Sequence, residues 1–303
     1  MKRKIKSDGS VYAVILVGGK GKRLRPLSTA SRPKAFLSFD REKKTMFAAT
    51  LERIRKMVPS ENIVVVANAL HSRLVRKDFP DIRRENLLLE PASRNTAPAI
   101  IFAASVLKKR KIDAIMAVLP SDQYVRDKGE YLDSIKDGIA FIKKNRASLL
   151  ALAVEPTFPS TGFGYIKIGP KARRTVSRHD IYRAEEFVEK PDLKRASGFI
   201  EEGIYLWNAG AFIFSASSIL AATAEHAPKI FRAFADFDGT ARAYKALPDI
   251  SIDYAVMEKA KNLYCLKGKY DWMDMGDFAS LKEILNLERR DFLARGDKVV
   301  KIL

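Results

Sequence analysis

The sequence has almost no cysteine, little histidine and no long apolar run. Cys265 is the single cysteine in 303 residues, which excludes an internal disulfide framework and fits a reducing cytoplasm. The three histidines, His71, His179 and His226, stand outside every motif described below and are expected to be structural or solvated. No Cys–His or Ser–His–Asp arrangement for nucleophilic catalysis is evident. No apolar stretch approaches the roughly 20 residues that a membrane-spanning helix needs, so no membrane partner is expected. Lys2, Arg3, Lys4 and Lys6 ahead of Val11–Val17 imitate a secretory leader. The apolar run is short, however, and passes into glycines and lysines with no small-residue cleavage site; residues 1–10 are read as a disordered basic tail.

Acidic side chains are also scarce: 36 Asp and Glu against 55 Lys and Arg, a formal charge of +19. The excess lies in separate runs, such as Arg83-Arg84, Lys108 to Lys111, and Lys171 with Arg173-Arg174, of the kind found at solvated helix ends and loops. No RRM core, zinc finger or basic leucine zipper accompanies them, so nucleic acid is not the expected partner. The charge favours solubility and enriches anions near the surface. Internal repeats, low-complexity linkers and long Pro/Gly/Ser-rich boundaries are absent too, which points to one domain with two lobes.

What is present is a globular α/β pattern with a hydrophobic share of 47%. Short apolar runs predict strands at Val11–Val17, Ile63–Ala67, Leu87–Leu89, Ile115–Leu119 and Leu149–Val154. Helical spacing predicts helices over Phe47–Val58, Ala97–Arg110 and Glu130–Lys143. Strand–helix alternation implies parallel strands with crossover helices. From about residue 160 the texture changes to longer strands: Gly162–Ile168, Tyr182–Lys190 and Ile204–Phe214. Shorter helices are predicted at Ile219–Ala224 and Ile230–Phe237, and a terminal amphipathic helix at Phe278–Leu293, which leaves room for a homodimer.

The motif that directs the reading is Gly18-Gly19-Lys20-Gly21-Lys22-Arg23-Leu24-Arg25-Pro26-Leu27, directly after the first strand and followed by Arg32-Pro33-Lys34. Glycines let a backbone approach a polyphosphate closely with N–H groups aimed at its oxygens, and Arg23 and Lys34 add side-chain charge. The spacing is not that of a P-loop, and Leu24 occupies the place of the third Rossmann glycine. The segment resembles the signature loop of the sugar-phosphate nucleotidylyltransferases.

Further motifs extend the resemblance over roughly residues 11–280. Glu90-Pro91-Ala92-Ser93-Arg94-Asn95-Thr96 reads by itself as a strand end, a turn and a helix start capped by Asn95 or Thr96. It is similar to the base-recognition segment of the guanylyl branch of the family, the mannose-1-phosphate guanylyltransferases. Leu119-Pro120-Ser121-Asp122 and Trp272-Met273-Asp274-Met275-Gly276 carry the carboxylates that the resemblance assigns to Mg²⁺, with Asp271 and Asp277 as neighbouring decoys. Gly162-Phe163-Gly164-Tyr165-Ile166, Glu189-Lys190-Pro191 and Trp207-Asn208-Ala209-Gly210 resemble the family's sugar-side elements, with Phe163 in place of a tyrosine. Ser251–Lys259 reads as a capped helix and is taken mainly as scaffold beside the sugar pocket.

The resemblance implies a Rossmann-like, three-layer nucleotidyltransferase fold (GT-A-like) with a mixed, mostly parallel central sheet and a sugar-binding lobe. A nucleotide half would span about 11–155, a sugar half about 156–275, and a C-terminal helical extension 276–303. It implies transfer of GMP from GTP to α-D-mannose 1-phosphate with release of pyrophosphate. Arg23 and Lys34 would be catalytic. Gly18, Gly19, Gly21, Glu90, Arg94, Asn95 and Thr96 would bind nucleotide, and Gly164, Glu189, Lys190 and Asn208 the sugar phosphate. Asp122 and Asp274 would hold the metal. A dTDP- or UDP-sugar-forming relative, or a non-catalytic homologue that binds a nucleotide sugar, are the alternatives. No part of the 303 residues is expected to correspond to the isomerase domain or the left-handed β-helix that some relatives carry.

Overall fold

Val11–Val17 (β1) is apolar on both faces of the strand and buried almost throughout, the pattern of a strand covered on both sides. It pairs in parallel with Ile63–Asn68 (β2) on one side and Ile115–Pro120 (β4) on the other, Val14 standing opposite Val64 and Val118. Leu87–Glu90 (β3) extends the parallel group beyond β2. The computed structural model describes residues 10–19, 21–38, 44–110, 113–175, 177, 179–235, 241–275, 281, 292–295 and 298–301.

The helices that follow these strands are Met46–Arg55 (α1), Ser72–Asp78 (α2), Thr96–Lys109 (α3) and Lys128–Lys144 (α4). Next come Leu149–Val154 (β6), Gly164–Arg174 (β7), Asp180–Glu189 (β8), Leu193–Glu202 (α5) and Tyr205–Ser215 (β9). Ala216–His226 (α6), Pro228–Ala235 (α7), Ala241–Lys245 (α8) and Leu263–Lys267 (β10) follow. The main sheet has nine strands in the order β3-β2-β1-β4-β9-β6-β10-β8-β7. Gln123–Val125 (β5) and Trp272–Asp274 (β11) form a separate two-stranded ribbon, as do Phe292–Arg295 (β12) and Lys298–Lys301 (β13).

Alternate residues of each central strand feed two cores. Val11, Ala13, Ile15 and Val17 meet residues of α1, α2, α4 and α5 on one face, and Tyr12 and Val14 meet α3, α6, α7 and α8 on the other. This is the expected three-layer arrangement. Gly138 lets α4 lie close on the sheet: a Cβ there would come within 2.5 Å of Ile213 Cδ1. Cys265 is buried in β10, as its apolar surroundings predict.

The sheet is mixed, as expected, with β9 and β8 running against the other seven strands. Parallel pairing covers β3-β2-β1-β4 and the β10–β6 pair, whereas β9 runs antiparallel to both β4 and β6 and β7 hairpins with β8. The short connection between β7 and β8 can only join antiparallel neighbours. The capped helix expected from Ser251 is a single π-type turn, Asp253–Met257. The expected basic tail (apart from Ser10) and the body of the expected terminal helix (apart from Leu281) lie outside the described residues; Phe292 and Leu293, its last two positions, stand in β12.

Candidate active site

The carboxyl ends of the parallel strands gather the sequence motifs, as open α/β sheets do. After β1 the chain leaves the sheet at Gly18 and Gly19, and Gly19 takes φ +94°. Gly21, at φ +53°, packs so tightly on the following turn that a Cβ would lie 2.9 Å from Ser28 Oγ and 3.3 Å from Lys34 Cβ. Ser28 Oγ in turn donates to the Gly21 carbonyl at 2.5 Å. Leu24 and Leu27 plug a small apolar cluster with Leu37, Met46, Met275 and Leu281. That cluster ties the glycine loop to the chain just beyond β11.

The ribbon of β5 and β11 does the same for the carboxylates. Asp122 follows β4, where Ser121 anchors the turn by donating its Oγ–H to the Leu16 carbonyl at 2.8 Å. Asp274 pairs in register with Gln123. Both carboxylates then converge on one cation: the Lys34 ammonium lies 3.1 Å from Asp122 and 2.8 Å from Asp274. Burial alone would lower the pKa of Lys34, but the two carboxylates outweigh it and leave the pKa raised. Asp271, one of the decoys, faces Arg126 instead; Asp277 lies outside the described residues. No group of three or more His, Cys, Asp and Glu gathers as a metal cluster among the described residues.

Two cavities meet at this seam. The larger, about 630 Å³, is walled by Gly18, Gly19, Glu90, Arg94, Asn95, Thr96 and Asp122, with Arg25, Asn68 and His71. Asn95, at φ +67°, caps α3 by accepting from the Thr96 N–H at 2.9 Å, which decides between the two cap candidates. Thr96 Oγ1 accepts from Ile252 N, and Arg94 donates to the Lys245 carbonyl. Glu90 is 6% exposed and accepts from the Tyr244 hydroxyl at 2.5 Å. Burial pushes its carboxyl up to about 7, against the pull of that hydrogen bond.

The smaller cavity, about 290 Å³, is walled by Gly164, Glu189, Lys190, Asn208, Asp253 and Trp272, together with Asp122 and Asp274. Gly164 is needed here because a Cβ would lie 2.5 Å from Glu189 Oε2. Glu189 pairs with Lys190, which takes φ +51°. Burial, and then the neighbouring Asp253, push Glu189 up to about 7, and Lys190 only partly offsets them. Asp253 is itself buried and raised.

The structure thus brings together every expected site residue except two. Gly21 packs against Ser28 and Lys34 and lines neither cavity, and Arg23 is exposed and lines neither cavity; Arg25, like Arg94, is a guanidinium on the larger cavity's wall. The reading of 251–259 as mainly scaffold misses Asp253, because a π-type turn carries no sequence period of its own. Gly210, at φ +65° and on both cavity walls, was only a motif position. His71 ties the larger cavity's wall to the loop by donating to the Ala30 carbonyl at 3.0 Å.

A family model described as Nucleotidyl transferase matches residues 12–290. The chain belongs to the nucleotidyl transferase family. It is 35% identical over 306 residues to a mannose-1-phosphate guanylyltransferase of Escherichia coli, covering 94% of this chain and 64% of that protein. It is 33% identical over 301 residues to one of Salmonella montevideo, covering 95% and 62%. The chain therefore spans less than two thirds of the length of these curated relatives. Among solved structures, one from Thermus thermophilus, described as a mannose-1-phosphate geranyltransferase, superposes with a TM-score of 0.81 at 34% identity, covering 91% of this chain and 79% of that one. No helix among the described residues is long and apolar enough to cross a membrane.

Proposed function

We propose that this nucleotidyl transferase is a mannose-1-phosphate guanylyltransferase, transferring GMP from GTP to α-D-mannose 1-phosphate and releasing pyrophosphate. The observation that carries the reading is the seam: a nucleotide-sized cavity and a smaller one share Asp122 and Gly210 and open onto the Lys34–Asp122–Asp274 cluster. A triphosphate in one and a sugar phosphate in the other would meet there. The choice of guanine and mannose is supported by the relatives named above and by the Glu90–Thr96 segment on the larger cavity's wall.

The sugar phosphate oxygen attacks the α-phosphorus of GTP, the bond to the β-phosphate bridge breaks, and pyrophosphate leaves. The nucleophile is already ionised at neutral pH, so no general base is required. Catalysis is positioning and charge neutralisation. Gly18 and Gly19 admit the triphosphate against bare backbone. Lys34 holds the α-phosphate, Arg25 supplies charge from the wall, and Arg23 supplies charge to the leaving pyrophosphate from its exposed position. Lys190 holds the incoming phosphate, while Glu189 and Asn208 take sugar hydroxyls. Asp122 and Asp274 fit Mg²⁺: they are hard oxygen donors already converging on one positive charge, and Mg²⁺ takes few carboxylates and completes its shell with phosphate oxygens and water. When bound, Mg²⁺ would neutralise charge on the phosphates.

The test is pyrophosphate release over a matrix of GTP, ATP, UTP and dTTP with mannose and glucose 1-phosphates, with Mg²⁺ and with a chelator. Release confined to GTP with mannose 1-phosphate, and abolished by chelation, is the expected result. Release with another pair would replace the specificity and keep the chemistry; silence throughout would overturn the reading.

A further inference from the structure

Asp253 sits on the wall of the smaller cavity, on the π-type turn Asp253–Met257, and is 9% exposed. Such turns are rare and often mark functional sites. Its carboxylate accepts from Asn208 Nδ2 at 3.0 Å, and Asn208 Oδ1 accepts from the Gly210 N–H at 3.0 Å. Both ends of the Asn208 amide are therefore engaged, which leaves one amide N–H to face a ligand. The relay continues along the backbone. Gly210, in a left-handed conformation, walls both cavities, and the Ala209 carbonyl accepts from Gln123 Nε2 at 2.6 Å. Gln123 is the register partner of Asp274.

The Asp253 carboxylate is also held by its own backbone N–H and by the Ser251 side chain. It faces a second one, Glu189, and a buried like-charged neighbour is costly. An apolar residue could fill the same volume. What an apolar residue could not do is accept from Asn208 and so choose which end of that amide points into the cavity.

We propose that Asp253 is a positioning residue for the sugar-phosphate side. It fixes the orientation of Asn208 and, through it, the Gly210 backbone at the junction of the two cavities, for a hexose 1-phosphate whose hydroxyls meet Glu189 and Asn208. The proposal rests on the reading that the smaller cavity takes the sugar phosphate.

The experiment is a double-mutant cycle on the full chain with Asp253→Ser and Asn208→Ala, plus Asp253→Asn as the conservative variant. It reads KM for GTP, KM for mannose 1-phosphate, kcat, and GDP-mannose binding by calorimetry. Asp253→Ser is expected to raise KM for mannose 1-phosphate, and to weaken GDP-mannose binding, by about tenfold, as expected when a buried polar partner is lost. KM for GTP should stay within about twofold, a split that a general loss of packing does not produce. Asn can still accept from Asn208, so Asp253→Asn should recover most of the loss. Because Asp253 acts through Asn208, the double variant should be little worse than Asn208→Ala alone. Additive losses, equal effects on both substrates, or an Asn variant as impaired as the Ser variant would each overturn the proposal. The reading beneath it is judged separately, on the wild type: if it turns over a different sugar 1-phosphate, the cycle is read on that substrate, and if it binds no nucleotide sugar at all, the reading and the proposal fall together.

Discussion

Glu90 shows what one residue contributes once its surroundings are known. It ends β3, is buried, and accepts from the Tyr244 hydroxyl. Burial raises its carboxyl from the ordinary 4.5 to about 7. A raised acid stabilises the fold while protonated; that contribution is complete below pH 4.5 and is lost as pH rises through about 7. Glu90→Gln keeps an acceptor for Tyr244 and cannot ionise. Its stability relative to wild type, measured by urea denaturation of the ligand-free protein, should therefore grow between about pH 5 and pH 8. A pH-independent difference would show that Glu90 is not desolvated in solution. Lys34 is the opposite case. Burial opposes its charge, but two carboxylates hold it charged, so it remains a dependable cation at the point where phosphates are proposed to meet.

Among the elements, the β7–β8 hairpin depends on a clamp that its strand pattern does not reveal. His179, just before β8, is fully buried. It lies between Asp137 of α4, 2.8 Å from Nδ1, and Glu130 of α4, 2.7 Å from Nε2. Ser134 Oγ is 3.2 Å from the same Nε2. The hydrogen bond to Asp137 raises the histidine pKa, burial opposes it, and Glu130 adds to the rise. The imidazolium therefore stabilises the fold fully below pH 6.5, and the contribution is lost as pH climbs through the raised value. His179→Ala leaves two carboxylates facing an empty site and should cost about 3 kcal/mol in urea denaturation at pH 6. The deficit should shrink at alkaline pH, where the wild type has lost the same charge. A deficit that does not change with pH would point to packing instead. The expectation that the histidines are structural holds for His179, but its partners on α4 could not be read from the sequence.

For the whole molecule, the question is why a chain with anionic substrates on the proposed reading carries a formal charge of +19. Among the described residues, Arg25, Lys34, Arg94 and Lys190 lie at the seam or on the cavity walls. The rest act at a distance, where a cationic surface raises the local concentration of anions and salt screens the effect over roughly 10 Å at 0.1 M. The expected outcome is that KM for GTP rises several-fold, to about tenfold, between ~0.05 and ~0.5 M salt with kcat nearly unchanged. A flat KM would confine the charge to solubility. The mixed sheet also matters at this scale. Because β9 runs antiparallel to β4, with Phe212 opposite Val118, Gly210 falls at the carboxyl end of β4 and Asn208 beyond it, on the cavity wall they share with Asp122. A parallel strand there would have put them at the far end of the sheet.

The sequence by itself determined the local elements and the chemical inventory. The central strands and α1, α3 and α4 follow from apolar period. The glycine loop, the Glu90–Thr96 segment and the two carboxylates follow from residue type and spacing. These are local properties, carried by backbone preference and by side chains close in the chain. Tertiary structure alone decided what meets what. It paired β11 with β5 so that Asp274 reaches Asp122, reversed β9 so that Asn208 and Gly210 come to the cavity walls, left Arg23 exposed with Arg25 on the wall, and turned Asp253 toward Asn208. Each of these is a contact between segments distant in the chain, and no periodicity encodes such a contact because its energy comes from burial and pairing that exist only once the sheet has formed.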